Sequence, residues 1–497
     1  MEDAREDFDE LAWDRTDEAW EESQKQLRRL STCHTVASFV EKTFDKRATL
    51  VLPMIIGDYN ILYRLSLEGA SPDILARRPC PNLAQFPDEK PLREAATAAF
   101  FYQNTQLPIP QLFNYTLWSQ NPEIGPFTIL QHVENQGTLS HRLKAPNNDP
   151  SESHVLNPDI SESTLECLYR KVACCLLQLS QPSFPSEAEG RSFVVSGRPI
   201  TPNMNNMIRL ANIPRAVLPP EDQTYWTADE WYVALAEMHM AQLVFQHNDL
   251  VTTEDDCRNK YVARQLFQKL ARQGRLSTYG FKDDDWSSYS KTQSSNVSPA
   301  PPRTGSFRLW GDDLRPGNIL LNASDDIVAV IDWEFTYVGP TKFILDPPWW
   351  LLLEVPEMWS SGIDRWEEVY GLRLKTWLSA MKQAEEAMGS GRMPFDLSTY
   401  MRESWETGRF WLNYAVRKSW AFYTIVWKYL DERFFGDREG NIPKHDLWKT
   451  RIHLLGEEKK SAMEPFVDRK MMESKQRVLI DWNPEEAKER LAEVLFD

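Results

Sequence analysis

Short runs of apolar residues, rich in leucine and β-branched side chains, alternate with polar positions in the first third of the chain and predict β-strands. Residues 49–52 and 61–67 are two such runs, and they bracket Gly57. Residues 74–78 and 127–133 form two more. The pattern predicts a small sheet between about residues 35 and 137.

Longer segments with helical spacing of apolar residues follow. In residues 89–102, Leu92, Ala95, Ala96, Ala99 and Phe100 fall on one face of a helix, and Pro108 lies beyond its end. Helices are also predicted for 164–179, 228–244 and 256–274, and the chain is largely helical from 376 onward.

Two segments lie outside this pattern. Residues 1–34 are acidic, and Trp13, Trp20 and Leu27 recur every seven residues, which favours an amphipathic helix. A solvated acidic arm remains the alternative. Residues 286–305 are rich in Ser and Pro and predict a disordered loop.

Composition restricts the class of protein. Apolar residues make up 42% of the 497 residues, enough to build a large core. The formal net charge of −17 disfavours binding to nucleic acid or to anionic membrane. The six cysteines show no zinc-ligand spacing, and the sequence has no apolar signal segment or membrane-spanning stretch, so we expect a cytoplasmic protein.

Residues 307–340 carry the strongest chemical signal. Asp313 and Asn318 stand five residues apart and precede the apolar run 319–321, which fits the kinase catalytic-loop spacing D-L-x-x-x-N. A second apolar run, 327–331, ends at Asp332. A strand–turn–strand arrangement of these runs places Asn318 and Asp332 side by side.

Phosphoryl transfer requires such groups. One carboxylate accepts the proton of the attacking hydroxyl, while a carboxylate and an amide oxygen hold Mg²⁺ against the nucleotide phosphates. Asp313 fits the first role, and Asn318 with Asp332 fits the second. Asp312 is a rival for Asp313, although only Asp313 has the required spacing. An ordinary polar turn beside a core strand is the alternative for the isolated loop.

The segment resembles the small-molecule kinases of the aminoglycoside phosphotransferase and choline kinase type, whose signature is close to H-G-D-L-H-P-G-N followed by I-D-W-E. The wider strings GDDLRPGNILL and VIDWEFTYVGP resemble a filamentous-fungal branch of that family. The resemblance implies a two-lobed, protein-kinase-like α+β fold. Its small antiparallel-sheet lobe would cover 35–137, and its large, mainly helical lobe would cover 138–497.

The resemblance also assigns residues to the nucleotide site, which would hold ATP and Mg²⁺. Arg77 matches the basic residue that pairs with the nucleotide phosphates, and Glu94 matches its helix partner. Strand alternation places Arg77 and Arg78 on opposite faces without choosing between them, and the family pattern selects Arg77. The nucleotide-loop turn and the adenine-binding hinge supply the remaining candidates, which are Gly57, Asn60, Leu130 and Val133.

The sequence departs from this signature at two positions. Gly311 stands where the family has its first signature His, and Arg315 replaces the second.

The resemblance implies transfer of the γ-phosphate of ATP to a hydroxyl of a small molecule. A catalytically inactive kinase fold that binds a nucleotide or a partner is the alternative. A protein kinase is disfavoured because no A-P-E element follows Asp332. The chain instead continues to the string DPPWW, which begins at Asp346.

Overall fold

The computed structural model describes residues 5–57, 59–81, 83–117, 125–146, 153–184, 195–292, 296–302, 306–389 and 395–496. A five-stranded antiparallel sheet forms a small lobe, and the remainder is mainly helical. The predicted two-lobed α+β fold class is confirmed. Within the described residues the strands are β1 Ala48–Ile56, β2 Asn60–Leu67, β3 Ile74–Pro79, β4 Leu112–Thr116, β5 Phe127–Gln131, β6 Phe307–Gly311, β7 Ile319–Leu321, β8 Ile327–Val330 and β9 Thr336–Pro340.

The helices belong to both lobes and fall mostly in the second half of the chain. They are α1 Glu10–Leu27, α2 Leu30–Phe44, α3 Glu89–Asn104, α4 Leu139–Leu143, α5 Glu162–Ser180, α6 Pro202–Ala211, α7 Ala228–Phe245, α8 Glu254–Arg272, α9 Ser288–Thr292, α10 Ile363–Met388, α11 Leu397–Thr407, α12 Arg409–Arg417, α13 Phe422–Ile425, α14 Asp431–Phe435, α15 Leu447–Arg451, α16 Glu457–Glu473 and α17 Pro484–Leu495.

The sheet has the strand order β1-β2-β3-β5-β4, with β3 at its centre. Four of these strands match the runs predicted from sequence. Strand β4 was not among the predicted strands because its segment LFNYT is short and only its last residue is fully buried. Arg77 on β3 faces Leu62 on β2 and Thr128 on β5, so its backbone is fixed from both sides.

The N-terminal segment is helical and packed, which favours the amphipathic helix over the solvated arm. Asp9 caps α1 and also accepts hydrogen bonds from Asn248 in the helical lobe. Leu27 at the other end of α1 is buried in the core of the sheet lobe, where Val36 and Val40 of α2 cover the sheet. Helix α1 therefore spans from the helical lobe to the sheet lobe.

Two pairs of short antiparallel strands in the helical lobe contain or flank the predicted catalytic residues. Strands β7 and β8 form the predicted hairpin, with Ile319 opposite Val330. Strand β6 precedes this hairpin in the chain and β9 follows it. The two strands pair, and Gly311 lies opposite Thr336. The pairing of β6 with β9 closes the segment between them into a compact unit.

The Ser- and Pro-rich segment 286–305 contains a short helix, α9, in its described part, and Ser298 donates to Glu403 at 3.0 Å. No helix in the described ranges is long and apolar enough to cross a membrane.

Candidate active site

The β7–β8 hairpin brings the two candidate metal ligands together. The backbone N–H of Ile331 donates to the carbonyl of Asn318 at 2.9 Å, which places Asp332 immediately beside Asn318. Asp332 has a backbone φ of +66°, in the left-handed region that non-glycine residues rarely adopt. Such backbone conformations are concentrated at functional sites, where the surrounding structure holds them in place.

Asp313 is held from two sides. Its Oδ1 accepts from Arg315 Nε at 3.0 Å, and its Oδ2 accepts from Asn318 Nδ2 at 3.1 Å. About a quarter of its side chain, 25%, stays exposed. Burial raises the pKa of Asp313 to about 6; Arg315 opposes the shift and the charge of Asp332 adds to it. A carboxylate with this pKa is suited to accept a proton near neutral pH.

Asp312, the rival of Asp313, points into the core. It is 7% exposed and accepts from Trp310 Nε1 at 3.0 Å and from Arg417 Nη1 at 3.2 Å. Asp312 is therefore buried and bonded within the core, and Asp313 is the aspartate of the two whose carboxylate stays partly exposed.

Arg77 connects the two lobes. Its Nη1 lies 2.7 Å from Glu94 Oε1 on α3, and its Nη2 lies 2.6 Å from Asp332 Oδ1. Arg78 has the opposite orientation and interacts with the phenol of Tyr63, so Arg77 is the arginine that faces the helix, as the family pattern predicts.

The remaining nucleotide-site candidates fall into two places. Gly57 and Asn60 close a tight turn in which the Gly57 N–H donates to the Asn60 carbonyl at 2.9 Å. Asp58, which follows Gly57 in sequence, is outside the described residues. The side chain of Asn60 turns inward and donates to Glu334, with Nδ2 3.3 Å from Oε1.

The predicted hinge lies at the junction of the lobes. Leu130 is paired on both sides in the sheet, and Val133 follows the end of β5. The Val133 carbonyl accepts from Asn135 Nδ2 at 2.9 Å. Three residues further on, the Gln136 N–H donates to the Leu321 carbonyl at 2.8 Å, which ties this connection to the catalytic hairpin.

Asp346 braces the helical lobe. It is 6% exposed and accepts from Ser404 Oγ at 2.5 Å and from Asn413 Nδ2 at 2.8 Å. These bonds fasten the segment after β9 to α11 and α12.

Gly311, the departure from the family signature, sits in a confined space. A Cβ at this position would lie 3.3 Å from Leu314 Cβ and 3.4 Å from the indole of Trp333. The Trp333 ring therefore occupies space that a larger residue at 311 would need.

The sequence prediction missed Glu334 and Lys90. Glu334 is 3% exposed, and its Oε2 lies 2.5 Å from Lys90 Nζ while its Oε1 lies 3.1 Å from Arg77 Nη2. Burial raises the pKa of Glu334, but Lys90 and Arg77 outweigh burial and hold it below its usual range. The signal was the spacing: Glu334 is two residues after Asp332, and Lys90 is one helical turn before Glu94.

The donor set fits a magnesium ion. Asn318 uses its Nδ2 on Asp313 and Asp332 uses Oδ1 on Arg77, so Asn318 Oδ1 and Asp332 Oδ2 are the oxygens that would hold the ion. Across the described residues, no group of three or more His, Cys, Asp or Glu side chains is arranged to hold a metal ion. A site with one carboxylate and one amide oxygen suits Mg²⁺, which keeps water and phosphate oxygens in its shell.

Comparison with known proteins gives a likeness in structure only. No protein-family model and no curated protein matches the sequence. A candidate aminoglycoside phosphotransferase from Ralstonia eutropha covers 89% of this chain and 98% of its own at 10% identity and a TM-score of 0.41. A type I macrolide 2′-phosphotransferase covers 86% and 98% at 12% identity and 0.39, and an ethanolamine kinase from Plasmodium vivax covers 92% and 96% at 10% and 0.38. A function for this protein is therefore inferred from the side chains of the site.

Proposed function

We propose that the protein is an ATP- and Mg²⁺-dependent phosphotransferase that transfers the γ-phosphate of ATP to a hydroxyl of a small molecule. The observation that carries this proposal is two sets of contacts, one from Glu94 through Arg77 to Asp332 and one from Asn318 to Asp313, which the backbone bond from Ile331 to Asn318 brings together. These contacts combine a cation for phosphate, two candidate metal-ligand oxygens and a candidate proton acceptor in one region, which is the set that phosphoryl transfer needs.

Asp313 takes the acceptor proton in this proposal. The acceptor oxygen attacks the γ-phosphorus, its proton passes to a carboxylate oxygen of Asp313, and the bond from the γ-phosphorus to the β–γ bridging oxygen breaks to release ADP. Arg315 and Asn318 hold the carboxylate in one orientation for this step. A bound Mg²⁺ supplies charge neutralisation of the phosphates, and Asn318 and Asp332 would hold it.

Arg77 has the position to bind a phosphate group. Arg77 is 6% exposed, and Glu94 and Asp332 fix the orientation of its guanidinium, so the cation is held in place for a phosphate oxygen. The backbone of the hinge around Val133 would receive the adenine base, next to the hairpin that carries the ligand oxygens.

A turnover screen tests the proposal. Purified protein with Mg²⁺ and ATP is incubated with a library of hydroxyl-bearing metabolites, and mass spectrometry detects products heavier by one phosphate. We expect at least one product with the wild-type protein and none with Asp313→Asn. Nucleotide binding without transfer to any acceptor would favour the inactive kinase-fold alternative, for which Gly311 is the sequence feature.

A further inference from the structure

Lys90 is a buried lysine that forms an ion pair with Glu334. It is 2% exposed, and its Nζ lies 2.5 Å from Glu334 Oε2. The aromatic faces of Phe335 and Tyr59 lie 4.6 Å and 4.9 Å from the same nitrogen. An ammonium removed from water in this way is retained only at a substantial desolvation cost, so its position calls for a specific role.

Glu334 links Lys90 to Arg77. One oxygen of Glu334 receives Lys90, and the other lies 3.1 Å from Arg77 Nη2, the nitrogen that also contacts Asp332. Lys90 and Glu94 both lie on helix α3, one turn apart, so the contacts from Lys90 through Glu334 and Arg77 to Glu94 form a closed ring. Arg77 is therefore held by three carboxylates, those of Glu94, Asp332 and Glu334, and Lys90 compensates the charge of Glu334.

We infer that Lys90 is a positioning residue of the nucleotide site, which acts through Glu334 to hold Arg77 in place when Asp332 engages a metal ion. This inference rests on the proposed function. A metal ion on Asp332 competes with Arg77 for the same carboxylate, and Glu94 and Glu334 then remain as the groups that fix the guanidinium. Without Lys90, Arg77 would be the remaining cation beside Glu334, and the carboxylate would draw Arg77 toward itself.

A set of variants separates this role from a purely structural one. Lys90→Met leaves the buried Glu334 with Arg77 and Asn60 as its remaining partners, whereas Lys90→Met with Glu334→Gln removes both charges and with them most of the cost of burying them. Arg93→Met is the matched control, since Arg93 lies on the same helix but pairs with Glu89 at 3.2 Å and bonds the Arg198 carbonyl. Calorimetry measures the Kd for ATP in the presence of Mg²⁺, and thermal melting measures stability.

We expect the Kd of Lys90→Met to rise about tenfold or more, as is typical when an outer partner of a metal-site group is removed. The double variant should melt at a higher temperature than Lys90→Met, yet its Kd should stay raised relative to Arg93→Met. A double-variant Kd equal to that of Arg93→Met would overturn the inference and make the pair structural only. If the wild-type protein does not bind ATP with Mg²⁺, the proposed function fails first, and the inference falls with it.

Discussion

Arg77 and Asp332 form an ion pair across the cleft, with 2.6 Å between Nη2 and Oδ1. The contact joins the central strand of the sheet lobe to the residue that follows the catalytic hairpin of the helical lobe. Because the same two side chains are the candidates for phosphate and metal binding, this contact couples the relative position of the lobes to the assembly of the site.

The two adjacent arginines of β3 should differ in function. Arg77→Lys keeps a positive charge but cannot reach Glu94 and Asp332 together, since an ammonium lacks the planar fork. We expect kcat/KM for ATP to fall at least about tenfold, equivalent to about 1.4 kcal/mol. Arg78→Ala should leave the KM for ATP within about twofold, because Arg78 lies on the opposite face beside Tyr63. Steady-state kinetics checks both, and equal losses would contradict the assignment.

The two adjacent aspartates of the catalytic segment should also separate. Asp313→Asn removes the proton acceptor, so kcat should fall about 10²- to 10⁴-fold while the Kd for ATP stays nearly unchanged. Asp312→Asn weakens a buried contact with Arg417 and should lower the free energy of unfolding by about 1–3 kcal/mol. A kcat for Asp313→Asn within about tenfold of wild type would mean that another group positions the hydroxyl.

The pH dependence of turnover should report Asp313. Its pKa of about 6 means that the carboxylate is protonated below that pH, so kcat should fall about tenfold for each further pH unit. The folded-state pKa lies above the ordinary value of 3.8, so burial of the charged form is unfavourable above about pH 6 and this cost disappears as the pH falls toward 4. Asp313→Asn should accordingly be more stable than wild type at pH 7.5, and melting at pH 7.5 and pH 4 measures the difference. A larger stabilisation by Asp313→Asn at pH 4 than at pH 7.5 would have the opposite sign and would contradict a carboxylate whose pKa is raised by burial.

Placing at position 311 the histidine of the signature that this segment resembles should not improve catalysis. Gly311→His places a ring where Leu314 and Trp333 already pack, and overpacking of this kind costs about 1–3 kcal/mol. We expect a lower melting temperature and no gain in kcat. Gly311→Ala is the smaller control and should cost less. A variant Gly311→His with higher kcat and an unchanged melting temperature would show that the missing histidine limits catalysis.

The candidate site was predictable where its residues are close in sequence or fixed by local periodicity. The spacing of Asp313 and Asn318 and the apolar run before Asp332 sufficed to predict the hairpin and its neighbours. Strand alternation separated Arg77 from Arg78, and the family pattern chose between them. These signals are local, because side-chain direction in a strand alternates at every residue.

The residues that were missed depend on contacts between distant segments. Lys90 and Glu334 are far apart in sequence and meet only in the folded chain; Glu334 ends the I-D-W-E match without a role assigned to it, and Lys90 belongs to no motif. The pairing of β6 with β9 depends equally on tertiary structure, as does the orientation of Asp312 toward Arg417. Local propensity does not encode such pairings, which are set by packing.

Thermal melting of the wild-type protein with ATP, with and without Mg²⁺, tests the central claim most directly. A ligand at one hundred times its Kd stabilises the folded state by about 2.7 kcal/mol. We predict this stabilisation with ATP and Mg²⁺ together, and its loss both in EDTA and in Asp332→Ala. No shift with ATP and Mg²⁺, or an equal shift in EDTA, would contradict a metal-dependent nucleotide site at Asn318 and Asp332.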